Sequence, residues 1–154
     1  MTTAVAAAAD HIRASTPAQI AQIERLSEFL LGLPQADIET HHVLHGGMYA
    51  RTIAIPAGVC IAGAFIRVPT ILVANGHMTV VAGSLSTLID GHRVFAGSAG
   101  RNQAFLAHAD SYLTMCFATE AQTIADAEDE FTAQSHLLVS RRAGAVNHTT
   151  ITGE

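Results

Sequence analysis

Apolar residues recur at three- and four-residue steps in one stretch near the start of the chain, where Ile20, Ile23, Leu26, Phe29 and Leu30 fall on a single helical stripe. Thr16 can accept a backbone N–H as an N-cap, Pro17 suits the first helical position, and Gly32 with Pro34 stops the run. The pattern predicts an amphipathic helix over 16–31. Its stripe must pack on its own domain or on a neighbouring subunit, and docking on its own domain is the expected arrangement.

From Met48 to Phe117 the period shortens to that of strands. The candidates are 48–55, 59–66, 70–74, 77–82, 85–89, 92–96, 103–107 and 111–117. Pro56-Ala57-Gly58 closes the first of them. Asn75-Gly76 and Asp90-Gly91 lie between paired runs and tolerate the positive φ of tight hairpins, so both are expected to be turns. Many short strands with such punctuation predict an all-β domain, a barrel or jelly roll. After the last strand Thr119 can cap a short helix over 119–132, with Gln122 three residues on and a stripe of Ile124, Ala127 and Phe131. Asp126, Glu128, Asp129 and Glu130 form a charge run that reads as a solvated helix face and lacks a calcium-loop spacing. Residues 1–14 are an Ala-rich leader, 15–142 the domain, and 143–154 a small, polar segment read as a flexible tail or an arm that orders on a partner.

A length of 154 residues suits one domain with a substantial core. The chain is 49% hydrophobic and only 14% charged. That is more apolar side chain than one small barrel encloses, which predicts a homo-oligomer. Net charge is -5 and the only basic cluster is Arg141-Arg142, so the footprint of a nucleic-acid binder is missing. No apolar run approaches the ~18 residues of a membrane span. Cys60 and Cys116 sit singly in apolar runs and read as small core residues of a reduced protein.

Gly47-Met48-Tyr49-Ala50-Arg51, Ile55-Pro56-Ala57-Gly58, Asn75-Gly76 and Ser98-Ala99-Gly100, followed by a last strand pair and an acidic helix, resemble the cupin superfamily. More narrowly, the chain resembles small single-domain cupin-like proteins of bacteriophage and prophage genomes. The resemblance covers roughly residues 39–142 and implies a single cupin-like jelly-roll β-barrel flanked by the N-terminal helix and a short C-terminal one. Metal-binding cupins carry three histidines and a carboxylate inside the barrel. Laid on this sequence, those positions fall on Ala64, Ile66, Thr70 or Ile71, and Gln103. Such side chains do not make a site for iron, manganese or zinc, so neither metal nor other cofactor is expected.

The remaining chemistry is polar and scattered. Arg51 shares a strand face with Tyr49, Ile53 and Ile55 and, if inward, needs a carboxylate such as Glu39 or Asp110, or an anionic ligand. Tyr49, Arg51, Arg101, Gln103 and His108 are the candidate ligand-binding residues, for a phosphate or carboxylate. His41, His42 and His45 form the densest histidine cluster, read as a polar approach loop, with a surface metal site as the remote alternative. His77 and His92 follow turn glycines. His108 precedes Asp110, which could orient its ring, but no Ser or Cys nucleophile is spaced with the pair. The expected function is a noncatalytic, oligomeric structural or assembly protein of a virion, at the tail or head-tail region, contacting other virion proteins and located in the virion or the host cytoplasm. A binder of a small anion or nucleotide signal is the alternative, and a metal-dependent enzyme comes last.

Overall fold

A computed structural model describes residues 10–82 and 85–154. The chain runs β1 (His11–Ile12), α1 (Pro17–Leu31), β2 (Thr40–His45), β3 (Met48–Ile55), β4 (Cys60–Ala62), β5 (Thr70–Ala82), β6 (Leu85–Gly97), β7 (Ala104–Ala107), β8 (Ser111–Ala118), α2 (Ile124–Phe131) and β9 (Asn147–Ile151). Two single 3-10 turns, Ser135–Leu137 and Val139–Arg141, join α2 to the last strand. The expected β-rich architecture with two helices is present. Among the described residues the strands follow an open path, β1-β6-β5-β8-β3-β2-β9, with β7 branching from β5 and β4 pairing β7, rather than a closed ring.

β5 and β6 organise the molecule. Each is 13 residues long, and they pair antiparallel along their whole length. The first half of β5, Ile71 to Asn75, also pairs with β8, whereas Met78 to Val81 pairs with β7. The two halves of one long hairpin therefore carry different neighbours within the same sheet. The partner changes at Gly76, which lies opposite Gly91, and both glycines have positive φ, 139° and 91°. This corrects the expectation of two turns at Asn75-Gly76 and Asp90-Gly91. Glycine allows the backbone to turn a corner while the ladder continues, so the signal that reads as a hairpin marks a bend inside a strand. His77 and His92 accordingly sit in mid-strand.

Gly76 also keeps the inward phase of its strand, since Thr70, Leu72, Ala74, Met78 and Val80 are all buried. Its missing side chain leaves room for Ser111. A Cβ built there would lie 2.3 Å from the Ser111 Oγ. That hydroxyl donates to the carbonyl of Ala109 at 2.8 Å and accepts from the N–H of His77 at 3.0 Å, stitching the corner to the start of β8. Inward residues on both sides of this corner then form one core, including Tyr49, Leu72, Met78, Ile89, Phe105, Met115 and Phe117.

α1 forms as expected. Thr16 accepts from the N–H of Gln19, and the Gln19 side chain accepts from the N–H of Thr16, a reciprocal cap that frees neither group. The helix docks on β4 of its own chain through Ile23, which is buried. Phe29 departs from the predicted stripe and is 66% exposed. The second helix is shorter than expected. Thr123, not Thr119, caps it by accepting from the N–H of Asp126. Thr119 instead bonds the Glu130 carboxylate and the N–H of Ala121.

Two segments read as irregular are strands. His41, His42 and His45 lie on β2, paired antiparallel with β3, because Thr40, His42 and Leu44 alternate inward against the core. The segment read as a flexible tail supplies β9, which adds parallel to the free edge of β2 with all five residues exposed. Backbone hydrogen bonding, which needs no apolar side chain, holds it there. Cys60 and Cys116 are free and only half-buried rather than core residues, Cys116 standing on the outer face of β8. No described helix is long and apolar enough to cross a membrane.

Candidate ligand-binding site

A cavity of about 670 Å³ opens among β3, β4, β5, β7, β8 and α1. Leu72, Leu113 and Met115 line it from one side, Ile61 and Phe105 from the other, and Ile23, Ser27 and Leu30 of α1 cover it. Much of the wall is hydrocarbon, with Arg51 and the run Arg101-Asn102-Gln103 on the strand side and Glu24, Glu28, Gln35, Gln134 and Arg142 among the other polar residues that line it.

Arg101 is the most unusual group in this wall. It is 2% exposed, yet no carboxylate pairs with it among the described residues. One Nη donates to the carbonyl of Ser98 at 3.0 Å and the other to the Thr70 hydroxyl at 2.6 Å, while Nε has no partner. Burial lowers its pKa to about 10, so the guanidinium remains charged at neutral pH. An uncompensated cation in an apolar interior is costly, and an anion would offset that cost. The adjoining Asn102 has an unpartnered buried Oδ1, and Gln103 is buried beside it. Gly97 makes room for the guanidinium, since a Cβ there would stand 2.8 Å from the Arg101 Cζ and from the Thr70 hydroxyl.

The loop that carries these residues is tied to the helix that covers the cavity. Arg101 bridges Ile66, and Ser15, immediately before the Thr16 cap, accepts from the N–H of Asn102 at 2.8 Å and donates to the carbonyl of Gly100 at 2.9 Å. The polar end of the cavity and the entry to α1 are thus one hydrogen-bonded unit.

Arg51 points inward with Tyr49 and Ile55 of its strand face, which decides an orientation the alternation leaves open, and its partner is neither Glu39 nor Asp110. Its Nη1 donates to the Glu128 carboxylate at 2.7 Å and to the Ser140 hydroxyl at 2.9 Å. Arg141 reaches the other Glu128 oxygen from its Nε at 3.0 Å. Glu128 is therefore not on a solvated face. It is 3% exposed because it shares the inward side of α2 with Ala127 and Phe131. Burial alone would raise its pKa, but hydrogen bonds from Ser140 and Arg141 and the charge of Arg51 hold it below the usual value. Asp110 serves elsewhere, accepting from the N–H of Ala57 in the Pro56-Ala57-Gly58 turn at 2.9 Å.

Tyr49 lies behind the cavity wall and does not line it. Its hydroxyl is 2.6 Å from the Nδ1 of His42, whose Nε2 is 2.7 Å from the Oδ1 of Asn147. The Asn147 amide donates to the carbonyl of Ser140, so its oxygen must accept from Nε2–H. That fixes the neutral tautomer of His42, with Nδ1 accepting from Tyr49. Burial lowers the His42 pKa, and burial pushes Tyr49 up to about 12.

Of the five expected ligand residues, Arg51, Arg101 and Gln103 meet at one cavity, whereas Tyr49 and His108 do not. His108 is exposed, bonded to Thr79 at 2.7 Å and next to His77, because its strand ends on the other side of the β5 corner. The metal alternative at His41, His42 and His45 also fails to assemble, since His42 points inward while the other two point outward. Asn102 carries no signal in the sequence beyond adjoining Arg101 and Gln103, and Glu128 is hidden there in a charge run that reads as solvated. At the positions where the resemblance puts metal ligands, Ala64, Ile66 and Gln103 line the cavity, Thr70 bonds Arg101, and Ile71 is exposed. Hydrocarbon and one amide do not fit a metal ion there.

No protein-family model and no curated protein matches the chain. Solved structures that are similar include cupin proteins. A cupin superfamily protein from Desulfitobacterium hafniense matches at TM-score 0.48 and 8% identity, covering 71% of this chain and 96% of that one. A cupin-2 domain protein from Shewanella frigidimarina matches at TM-score 0.44 and 4% identity, over 59% and 90% of the two chains. An RmlC-like cupin from Desulfovibrio desulfuricans matches at TM-score 0.44 and 12% identity, over 53% and 82%.

Proposed function

We propose that this protein is a noncatalytic, cupin-like binding module whose cavity takes a small organic anion, a carboxylate or phosphate on an apolar body. The observation that carries the reading is Arg101, a buried guanidinium with an unused donor and no carboxylate partner among the described residues. Beside it stand the amides of Asn102 and Gln103, and Leu72, Phe105, Leu113 and Met115 supply an apolar wall. A cavity of about 670 Å³ suits a ligand of drug-like size. Isothermal titration with phosphate, succinate and benzoate tests it. At least one should bind, and Arg101→Met should weaken that binding about tenfold or more, by loss of a charge-assisted pair. Equal binding by the variant, or no binding of any of the three at millimolar concentration, would overturn the reading.

A second reading is a self-associating structural barrel of a phage particle. Its oligomeric part is favoured by the outer face of the sheet, where Ile71, Val73, Val94, Thr114 and Cys116 form adjacent, uncharged rows. Its virion part rests on the sequence resemblance alone. Light scattering of the purified protein tests the first part, and mass spectrometry of purified particles the second.

A further inference from the structure

We propose that Glu39, His41 and His148 form a surface site for a zinc-class divalent cation, and that the bound ion clips the C-terminal strand to β2. The site follows from the register. β9 runs parallel to β2 with His148 directly opposite His41, so both imidazoles stand on the outer face, stacked at 4.4 Å between ring centroids. Glu39 precedes β2 and shares the face of His41 two residues on. Its Oε2 is 3.8 Å from the Nε2 of His41 and 3.5 Å from the Nε2 of His148.

One donor atom from each residue lies within 4.8 Å of the other two. Zinc bonded at about 2.0–2.1 Å needs neighbouring donors about 3.4 Å apart, so small side-chain rotations close the set. All three side chains are about half exposed, which leaves them free to rotate and open to ions from solvent. Two imidazoles and a carboxylate are the nitrogen and oxygen donors that zinc prefers, and three of them leave a fourth position for water. The two histidines come from neighbouring strands that are far apart in sequence, β2 and β9. β9 contributes no buried side chain, so an ion shared with β2 adds a side-chain tie to a strand otherwise held mainly by its backbone.

The test uses tag-free protein stripped of metal with chelator. Calorimetry with zinc should show one site, and His41→Gln and His148→Gln should each weaken it about tenfold or more, while His108→Gln stays within about twofold. Circular dichroism checks that the variants fold. Amide exchange over 147–151 should slow when zinc is added to the parent protein and not in His148→Gln. The proposal is overturned if the parent binds no zinc at millimolar concentration, if either histidine variant binds as tightly as the parent, or if zinc leaves exchange over 147–151 unchanged.

Discussion

Glu128 decides more than any other single carboxylate. It is buried between Arg51 and Arg141, and removing it would leave Arg51, itself 7% exposed, as an unpaired charge beneath Phe131. Glu128→Ala should lower stability by about 3–5 kcal/mol in urea unfolding, because the orphaned cation must be desolvated without compensation. The paired change Arg51→Met with Glu128→Leu removes both charges. It should recover most of that loss, which separates the cost of an orphaned charge from the worth of the ion pair.

At the scale of elements, the β5–β6 hairpin shows how one residue sets the course of a sheet. Gly76→Ala places a methyl against Ser111, whose Cα would be only 2.8 Å from the new Cβ, at a backbone φ that L-residues rarely adopt. Overpacking and strain together predict a loss of about 2–5 kcal/mol. Gly91→Ala meets nothing within 4 Å and should lose only the backbone term, about 1–3 kcal/mol. Thermal or urea unfolding of the two variants side by side checks the difference. Equal losses would mean that contact with Ser111 does not hold the corner.

For the whole molecule, acid acts through two buried groups in succession. His42 has its pKa lowered from 6.5 by burial, so between 6.5 and the folded value the unfolded chain binds more protons. Its contribution is complete above 6.5 and is lost as pH falls through the depressed value. Protonation would also cost Nδ1 its role as acceptor from Tyr49. Glu128 is lowered from 4.5, so its contribution is complete above 4.5 and drains away below it as pH falls through the folded value. Unfolding temperature should therefore decline in two stages from pH 8 to pH 3. His42→Gln should flatten the upper stage and leave the lower one.

The strand and helix content was written in local pattern. Period-two alternation gave Met48–Ile55 its exact bounds, and Thr16, Pro17 and Gly32 framed α1, because caps and alternation act between near neighbours in the chain. The face that Arg51 shares with Tyr49 and Ile55 followed from the same alternation, while its inward direction did not. What pattern could not supply were meetings between distant residues: Arg51 with Glu128, His42 with Asn147, His41 with His148. Glycine at positions 76 and 91 carries one local meaning, freedom of φ, and whether that freedom ends a strand or bends it depends on which strands lie alongside. The last residues of the chain looked structureless for a related reason, since an edge strand is held by backbone groups that every residue possesses. The chain's own order thus determined its elements and their faces, while tertiary packing alone decided which charges are paired and which, at Arg101, has no carboxylate partner among the described residues.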